Sequence, residues 1–383
     1  MPGLFRFNVL LRFLLPLVLI LGTIAGLGSY YEASDDTSLT WLFSGVVALK
    51  PVASVPLYFH GLSHLLAAAY AASPGVPWVG VLLGGLLGAA TVLIFTVLET
   101  MLRPHLRPGQ LAAVLTLFFA VALLEHWLWF SYVRVALVLA GACLLFAAQR
   151  PGQKAPMLVG LLGLACAWLM RPSLAVLAFG ATLPAVLLLA GQWRRALPLV
   201  VSAAVGLALA TGTAALLQTP AEAQVQMRDK AFARILDFEQ LQPQPRTTAD
   251  SLGTAAIDLW IMGDSTVVNP SQLGRAYHFD ARYFFARTFP AKLSQRLALL
   301  VRDYFPLLLA LAVMAVVVWQ RPGRHGWFWL VQLGFTGFFV LLAGLLKLPP
   351  RLELPLLNFW LLANLAFLLR GARPISVVWR RLG

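Results

Sequence analysis

The sequence predicts an all-α polytopic membrane protein, a bundle of about ten spanning helices with both termini in the cytoplasm. Of its 383 residues, 60% are hydrophobic and only 11% are charged, and the mean hydropathy is +0.80. One soluble core cannot bury that much apolar surface. Apolar runs of about 20 residues recur along the chain, and each can cross about 30 Å of hydrocarbon with its backbone amides paired internally.

The apolar runs define three segments: a membrane module over 1–217 with seven spans, a polar segment over 218–302, and a membrane module over 303–383 with three spans. No small-residue cleavage site precedes the acidic residues that follow the first span, so we expect that span to be a retained signal anchor. The predicted spans are 13–31, 77–99, 110–129, 133–149, 155–170, 173–192, 196–217, 303–320, 326–346 and 354–371.

Basic residues predict the orientation, because lysine and arginine concentrate in short cytoplasmic loops. One side of the predicted spans holds loops with Arg103, Arg107, Arg150 and Lys154, and Glu99 is the one acidic residue on that side. Membrane topology therefore explains the net charge of +14, and no nucleic-acid partner is expected. The opposite, extracytoplasmic side receives 32–76 and 218–302.

These two outer regions differ in character. Prolines divide the apolar stretch 32–76 into pieces too short to span, so we predict two helices lying along the membrane interface, in contact with membrane lipids. The polar segment 218–302 predicts a few helices and is too short for a large independent core.

An acidic motif, EASDD, follows the first span and contains Glu32, Asp35 and Asp36, although the chain has only 15 acidic residues. Asp35 and Asp36 are candidate catalytic carboxylates: one can act as a general base, or the pair can hold a divalent cation such as Mg²⁺ or Mn²⁺ that bridges phosphates. Glu32 is a candidate substrate ligand. The structural alternative is that Ser34 or an aspartate caps a helix beginning near Thr37.

Three arginines, Arg134, Arg171 and Arg351, lie at the predicted outer ends of apolar spans. Arginine binds phosphate through bidentate hydrogen bonds, so these residues are candidate ligands for a lipid phosphate or pyrophosphate. Each can instead extend its charge to water, and Arg351 can pair with Glu353.

His60 and His64 are spaced by four residues, which predicts one shared face of an interfacial helix. Without a third ligand nearby in sequence, a zinc site is disfavoured. We expect both histidines, with Tyr58, to line a substrate cleft or to face lipid head groups.

The outer segment contains AIDLWIMGDSTVVNP, in which Asp258, Trp260 and Asp264 combine acidic and aromatic groups suited to sugar recognition. The same residues are common in surface loops. Cys143 and Cys166 lie in apolar runs, so neither a disulfide nor a thiolate metal site is expected.

This layout resembles the GT-C class of integral-membrane glycosyltransferases, in which an acidic motif follows the first span, interfacial helices come next, and a long outer loop follows the seventh span. The resemblance rests on EASDD at 32–36, on 38–72 and on 218–302. It implies transfer of a sugar from a polyprenyl-phosphate donor to a lipid, glycan or protein acceptor. Asp35 or Asp36 would be the base or metal ligand, and the arginines would bind the lipid phosphate. The expected location is a bacterial inner (plasma) membrane, with the site facing outward.

Two other functions are compatible with the sequence. A transporter or flippase of a lipid-linked saccharide would show ionisable residues at mid-membrane and repeated halves, whereas these charges cluster at one face. A non-catalytic envelope assembly subunit would need neither the acidic motif nor the arginines.

Overall fold

The protein is almost entirely helical. Its computed structural model describes residues 9–55, 57–323 and 325–370, and within them four two-residue strands accompany the helices. The strands are β1 (Tyr30–Tyr31), β2 (Trp129–Phe130), β3 (Gln242–Pro243) and β4 (Tyr277–His278). The helices are α1 (Leu10–Leu27), α2 (Ser34–Ser44), α3 (Leu62–Ala72), α4 (Trp78–Leu102), α5 (Pro108–Leu128), α6 (Tyr132–Ala148), α7 (Lys154–Met170), α8 (Pro172–Leu189), α9 (Trp193–Leu217), α10 (Pro220–Phe232), α11 (Thr248–Asp258), α12 (Pro270–Ala276), α13 (Ala281–Trp319), α14 (Gly326–Leu345) and α15 (Pro350–Leu369).

The all-α prediction is confirmed. Among the described residues, eight helices are long and apolar enough to cross a membrane: α1, α4, α5, α8, α9, α13, α14 and α15. Helices α6 and α7 are also apolar but have 17 residues each. The protein is therefore an integral membrane protein. Helix α1 ends earlier than predicted, because Gly28 adopts a φ of 83° and stops the helix after Leu27.

The described residues group into two compact units. Of the described residues, unit 1 contains 9–215, Tyr304–Val331 and 350–370. Unit 2 contains Leu216–Asp303 and Gln332–Pro349.

Helix α6 is the core of unit 1, since nearly every one of its side chains is buried. It packs against α4, α7, α8 and α15. Glycines allow the closest approaches: a Cβ atom added at Gly163 would overlap Cys143, and one added at Gly141 would overlap the ring of Phe359. In lipid the hydrophobic effect does not drive helices together. Small residues promote association instead, because they allow helix backbones to come into van der Waals contact.

The region predicted to lie at the interface contains two helices, α2 and α3, as expected. Helix α2 ends at Ser44 and is followed by Gly45, whose φ of 82° is left-handed. Helix α3 begins after Gly61, whose φ is 78°. Glycine tolerates these angles because it has no Cβ atom.

Unit 2 has a small core of its own. Its buried residues come from a π-helical turn (Ala233–Asp237) that continues α10, from α11, α12 and the segment between them, and from β4 of the antiparallel pair β3–β4. They are Ile235, Ile257, Val268, Leu273, Ala276 and Tyr277. The segment 218–302 is helical, as the sequence predicts.

We expect Gly141→Ala to lower the stability of the protein by about 1–3 kcal/mol, because the added methyl group forces α6 and α15 apart. The measurement is thermal unfolding in detergent micelles. Gly180→Ala in α8 is the matched control, since no atom lies within 4 Å of its added Cβ. Equal melting temperatures for both variants would contradict the close α6–α15 packing.

Candidate functional site

A short parallel strand pair brings the acidic motif to the start of α6. In β1–β2, Tyr30 pairs with Trp129 and Tyr31 pairs with Phe130, and the Glu32 amide donates to the Phe130 carbonyl at 3.0 Å. Residues from the segment between α1 and α2 and from the α5–α6 connection, about 100 positions apart in sequence, are therefore neighbours.

Asp36 lies at the amino terminus of α6. Its Oδ1 accepts hydrogen bonds from the Tyr132 amide at 3.0 Å and from the Ser131 hydroxyl at 3.3 Å. The residue is only 2% exposed, and its buried Oδ2 has no hydrogen-bond partner among the described residues. Burial raises the pKa of the Asp36 carboxyl to about 6, against the opposing effect of the Tyr132 and Ser131 hydrogen bonds.

The predicted helix cap is wrong in its details. Helix α2 begins at Ser34 rather than near Thr37, and its N-cap is Ala33, which makes no side-chain cap. Asp35 and Asp36 are in the first turn, where negative charge complements the helix dipole. Ser131 is the cap of α6 instead, since its hydroxyl accepts from the Val133 amide.

Asp35 differs from its neighbour because it is accessible. Its carboxylate side chain is 51% exposed and lies 3.3 Å from both terminal nitrogens of Arg351. The pair joins two candidate site residues separated by 316 positions in sequence. Such a solvent-exposed ion pair contributes little stability, so a competing anion can displace it at small cost.

Arg134 is buried and holds two carboxylates. Its side chain is 1% exposed, Nε and Nη2 donate to Glu32 at 2.6 and 2.9 Å, and Nη2 also donates to Glu125 at 2.6 Å. The alternative in which Arg134 extends to water is therefore wrong. Its donors are directed to protein carboxylates, so a phosphate would have to replace one of them.

Arg134 and its two carboxylate partners belong to a larger polar network. Arg134 Nη1 lies 3.4 Å from Nδ1 of the buried His126, whose Nε2 lies 3.1 Å from the Asn358 amide nitrogen. Asn358 also donates to the Ala122 carbonyl at 2.7 Å, within a π-helical turn (Phe119–Leu123) of α5. The Tyr304 hydroxyl donates to Glu125 at 3.1 Å.

Arg171 and Tyr58 meet beside Tyr132. Arg171 donates to the Tyr132 hydroxyl at 3.3 Å, and its guanidinium lies 5.1 Å from the centre of the Tyr58 ring. The Phe59 amide donates to the Met170 carbonyl at 2.9 Å, which fixes the turn before α3 against the end of α7. Tyr132 also lies within electrostatic range of Arg351 and Asp35.

The two histidines do not share a helical face. His60 precedes α3, between Phe59 with a φ of 55° and Gly61, whereas His64 lies inside the helix and is exposed. The prediction treated 60–64 as continuous helix and missed this turn. The His60 ring lies 5.5 Å from the ring of Trp168. In the described part of the chain, no group of three His, Cys, Asp or Glu side chains converges as a metal site.

The remaining candidates lie in unit 2. Asp258 is the last residue of α11, and Trp260 follows with a φ of 60° and 67% exposure. Asp264 accepts from the Thr266 amide at 2.8 Å and hydroxyl at 2.6 Å, and these hydrogen bonds lower the pKa of its carboxyl. Asp264 therefore stabilises a local turn.

Sequence reasoning missed several residues of this site. Ser131 carries a recognisable signal, because a serine directly before an apolar run is a common N-cap. Glu125, His126 and Asn358 were also identifiable, as polar residues inside spans are costly and seldom lack a role. Nothing local in the sequence indicates the long-range contact of Tyr304 with Glu125.

No protein-family model matches the chain, and neither a curated protein nor a solved structure matches it significantly.

We expect the stability of the Asp36→Asn variant, relative to that of the wild type, to increase as the pH rises. A raised carboxyl pKa means that the fold favours the protonated form, so this contribution is present below the unfolded pKa and is lost as pH rises through about 6. Asparagine stays neutral. At pH 7.5 the variant should therefore melt at an equal or higher temperature than the wild type, with a difference of up to about 3 kcal/mol in unfolding free energy.

At pH 5 that advantage should shrink or reverse, because wild-type Asp36 is then mostly protonated. Thermal unfolding in micelles at both pH values measures it. A difference between the two proteins that is the same at pH 5 and pH 7.5 would contradict the raised pKa.

Proposed function

We propose that the protein is a membrane glycosyltransferase of the GT-C type, which transfers a sugar from a polyprenyl-phosphate donor to a lipid, glycan or protein acceptor at the extracytoplasmic face. The bacterial inner membrane is the proposed location. The observation that carries the proposal is the contact between the accessible Asp35 carboxylate and Arg351, beside Arg171 and Tyr132.

The topology is part of the proposal. Ten spans require α6 and α7 to cross the membrane, and 17 helical residues extend about 26 Å, near the lower limit for a span. The distribution of basic residues then leaves both termini in the cytoplasm and Asp35 outside.

Asp35 is the proposed general base and Asp36 a positioning residue. The acceptor hydroxyl transfers its proton to Asp35 while its oxygen forms a bond to the anomeric carbon of the sugar. The bond between that carbon and the phosphate oxygen breaks, and its electron pair leaves with the polyprenyl phosphate. Asp36 holds the start of α6, and thereby Tyr132, in place.

Arg351 and Arg171 are the proposed phosphate ligands. When the donor phosphate binds Arg351, it competes with Asp35 for the guanidinium, so donor binding releases the carboxylate that acts as base. Arg171 supplies a second positive charge, which stabilises the phosphate as it leaves. Donor binding and release of the Asp35 carboxylate from Arg351 are thus coupled in this proposal.

The binding of a divalent cation by Asp35 and Asp36 stays a prediction. Asp35 and Asp36 offer two carboxylates, but one contacts Arg351 and the other accepts from the start of α6. This donor set does not fit a cation that needs six or more oxygen ligands unless donor phosphates complete it. The proposed steps therefore assign no role to a metal.

A flippase for a lipid-linked saccharide is the second candidate, and the buried network around Arg134 favours it, since buried ionisable groups in membrane proteins often mark transport pathways. Glu125 and Arg134 lie within four residues of the ends of their helices, which favours the enzyme instead. Translocation of a lipid-linked saccharide in vesicles, without any sugar transfer, would support the flippase.

We expect Asp35→Asn to reduce sugar transfer by a factor of about 100 to 10,000 while folding is retained, because asparagine cannot accept the proton. The measurement is the transfer rate of purified protein with a polyprenyl-phosphate sugar donor and candidate acceptors. Asp303→Asn, which breaks the exposed pair of Asp303 with Arg302, is the matched control. Full activity of Asp35→Asn would remove the residue from catalysis.

We expect a maleimide reagent added from outside the cell to label a cysteine placed at Gln242 and to spare one placed at Gln153. Both are tested in a chain whose Cys143 and Cys166 are replaced by alanine. The inference rests on the distribution of basic residues, and the reverse labelling pattern would overturn the orientation and the proposed active face.

A further inference from the structure

Unit 2 contains a cavity of about 1000 Å³ between α10, α12 and β4. This volume is at the upper end of the range for small-molecule sites. Its lining includes Met227, Arg228, Arg234, Gly274, Tyr277 and Phe279. None of them belongs to the site at the start of α6.

The cavity lining carries positive charge. Arg228 and Arg234 make no ion pair within the described residues. The Arg228 guanidinium lies 6.0 Å from the centre of the Phe232 ring. Tyr277 also lines the cavity, but its hydroxyl is buried and cannot be reached from it.

The cavity walls are otherwise apolar. Met227 and Phe279 line it and are 62% and 49% exposed, although side chains of this kind are usually buried. Leu273, Ile235 and Leu241 extend the apolar lining. A ligand that covers these groups gains from hydrocarbon contact, which an inorganic anion cannot provide.

We infer that this cavity binds an amphiphile with a phosphate head group and a hydrocarbon chain. The phosphate contacts Arg228 and Arg234, because guanidinium groups match phosphate oxygens in geometry and charge. The hydrocarbon chain of the ligand lies against Met227 and Phe279. The site is independent of the transfer reaction proposed above.

The test uses the full-length protein in maltoside micelles and measures binding of tetradecyl phosphate by competition with a fluorescent alkyl phosphate. Tetradecyl maltoside, with the same chain and a neutral head group, and inorganic phosphate are the comparison ligands. We expect tetradecyl phosphate to compete at least tenfold better than either. If tetradecyl maltoside competes equally well, the site does not require a phosphate head group. If inorganic phosphate competes equally well, the site does not require a hydrocarbon chain. Either result would overturn the inference.

Three variants locate the site. Arg228→Ala and Arg234→Ala should each weaken tetradecyl phosphate binding about tenfold or more, because each removes a charge-assisted contact. Gly274→Leu tests the cavity by filling it, since no atom lies within 4 Å of a Cβ atom added there and the helix tolerates leucine.

Arg282→Ala is the matched control, an exposed arginine of the same unit that does not line the cavity. Unchanged affinity in Gly274→Leu and in both cavity arginine variants, with normal melting temperatures, would overturn the inference.

Discussion

The buried amino terminus of α6 is the constraint on which the arrangement around the acidic motif depends. A helix enclosed on all sides cannot leave its first amide groups to water, and an unpaired buried amide is costly. Ser131 satisfies one amide from within the chain, and Asp36 satisfies another from a different helix. The carboxylate must therefore be carried to this point, and the β1–β2 pair does so by fixing the backbone between α1 and α2. Asp35 directly precedes Asp36 in α2. Fixing Asp36 at the start of α6 therefore also fixes the position of Asp35, whose side chain is accessible.

The network around Arg134 gives this end of unit 1 a rigid internal frame. A buried ion pair rarely adds net stability, because desolvation of the charges offsets their attraction. Its effect is geometric: Glu32 from the first loop, Glu125 from α5 and Arg134 from α6 can satisfy one another in few arrangements. Asn358 adds α15 to the same frame through His126. The more exposed Asp35–Arg351 pair thus rests on elements whose positions are already fixed, which is the condition for a preorganised site.

Hydrophobic length predicted the helices well, because in lipid a long apolar run has few alternatives to a helix. Most ends of the long apolar helices lie within about four positions of the predicted bounds, but α13 begins at Ala281 although its span was predicted to begin at 303. The scarcity of charged residues in such a chain also drew attention to Glu32, Asp35, Asp36, Arg171 and Arg351. The difference in exposure between Asp35 and Asp36 was not predictable from the sequence, since the exposure of adjacent residues depends on which neighbouring helix each one faces. The turn at His60 was missed for a similar reason, because a leucine-rich helical pattern hides a backbone reversal at Phe59 and Gly61.

The π-helical turn in α5 sets the direction in which the rest of that helix faces. Such a turn holds about one residue more than an α-helical turn, and each residue advances an α-helix by about 100°. Leu124–Leu128 is consequently rotated relative to an uninterrupted helix, and this rotation aims Glu125 and His126 at Arg134. Loss of a single residue from Phe119–Leu123 would restore regular winding and rotate both polar groups by about 100° away from Arg134. The number of residues between Pro108 and Glu125 is thus under tighter constraint than their identity, and an insertion or deletion there is more disruptive than most substitutions.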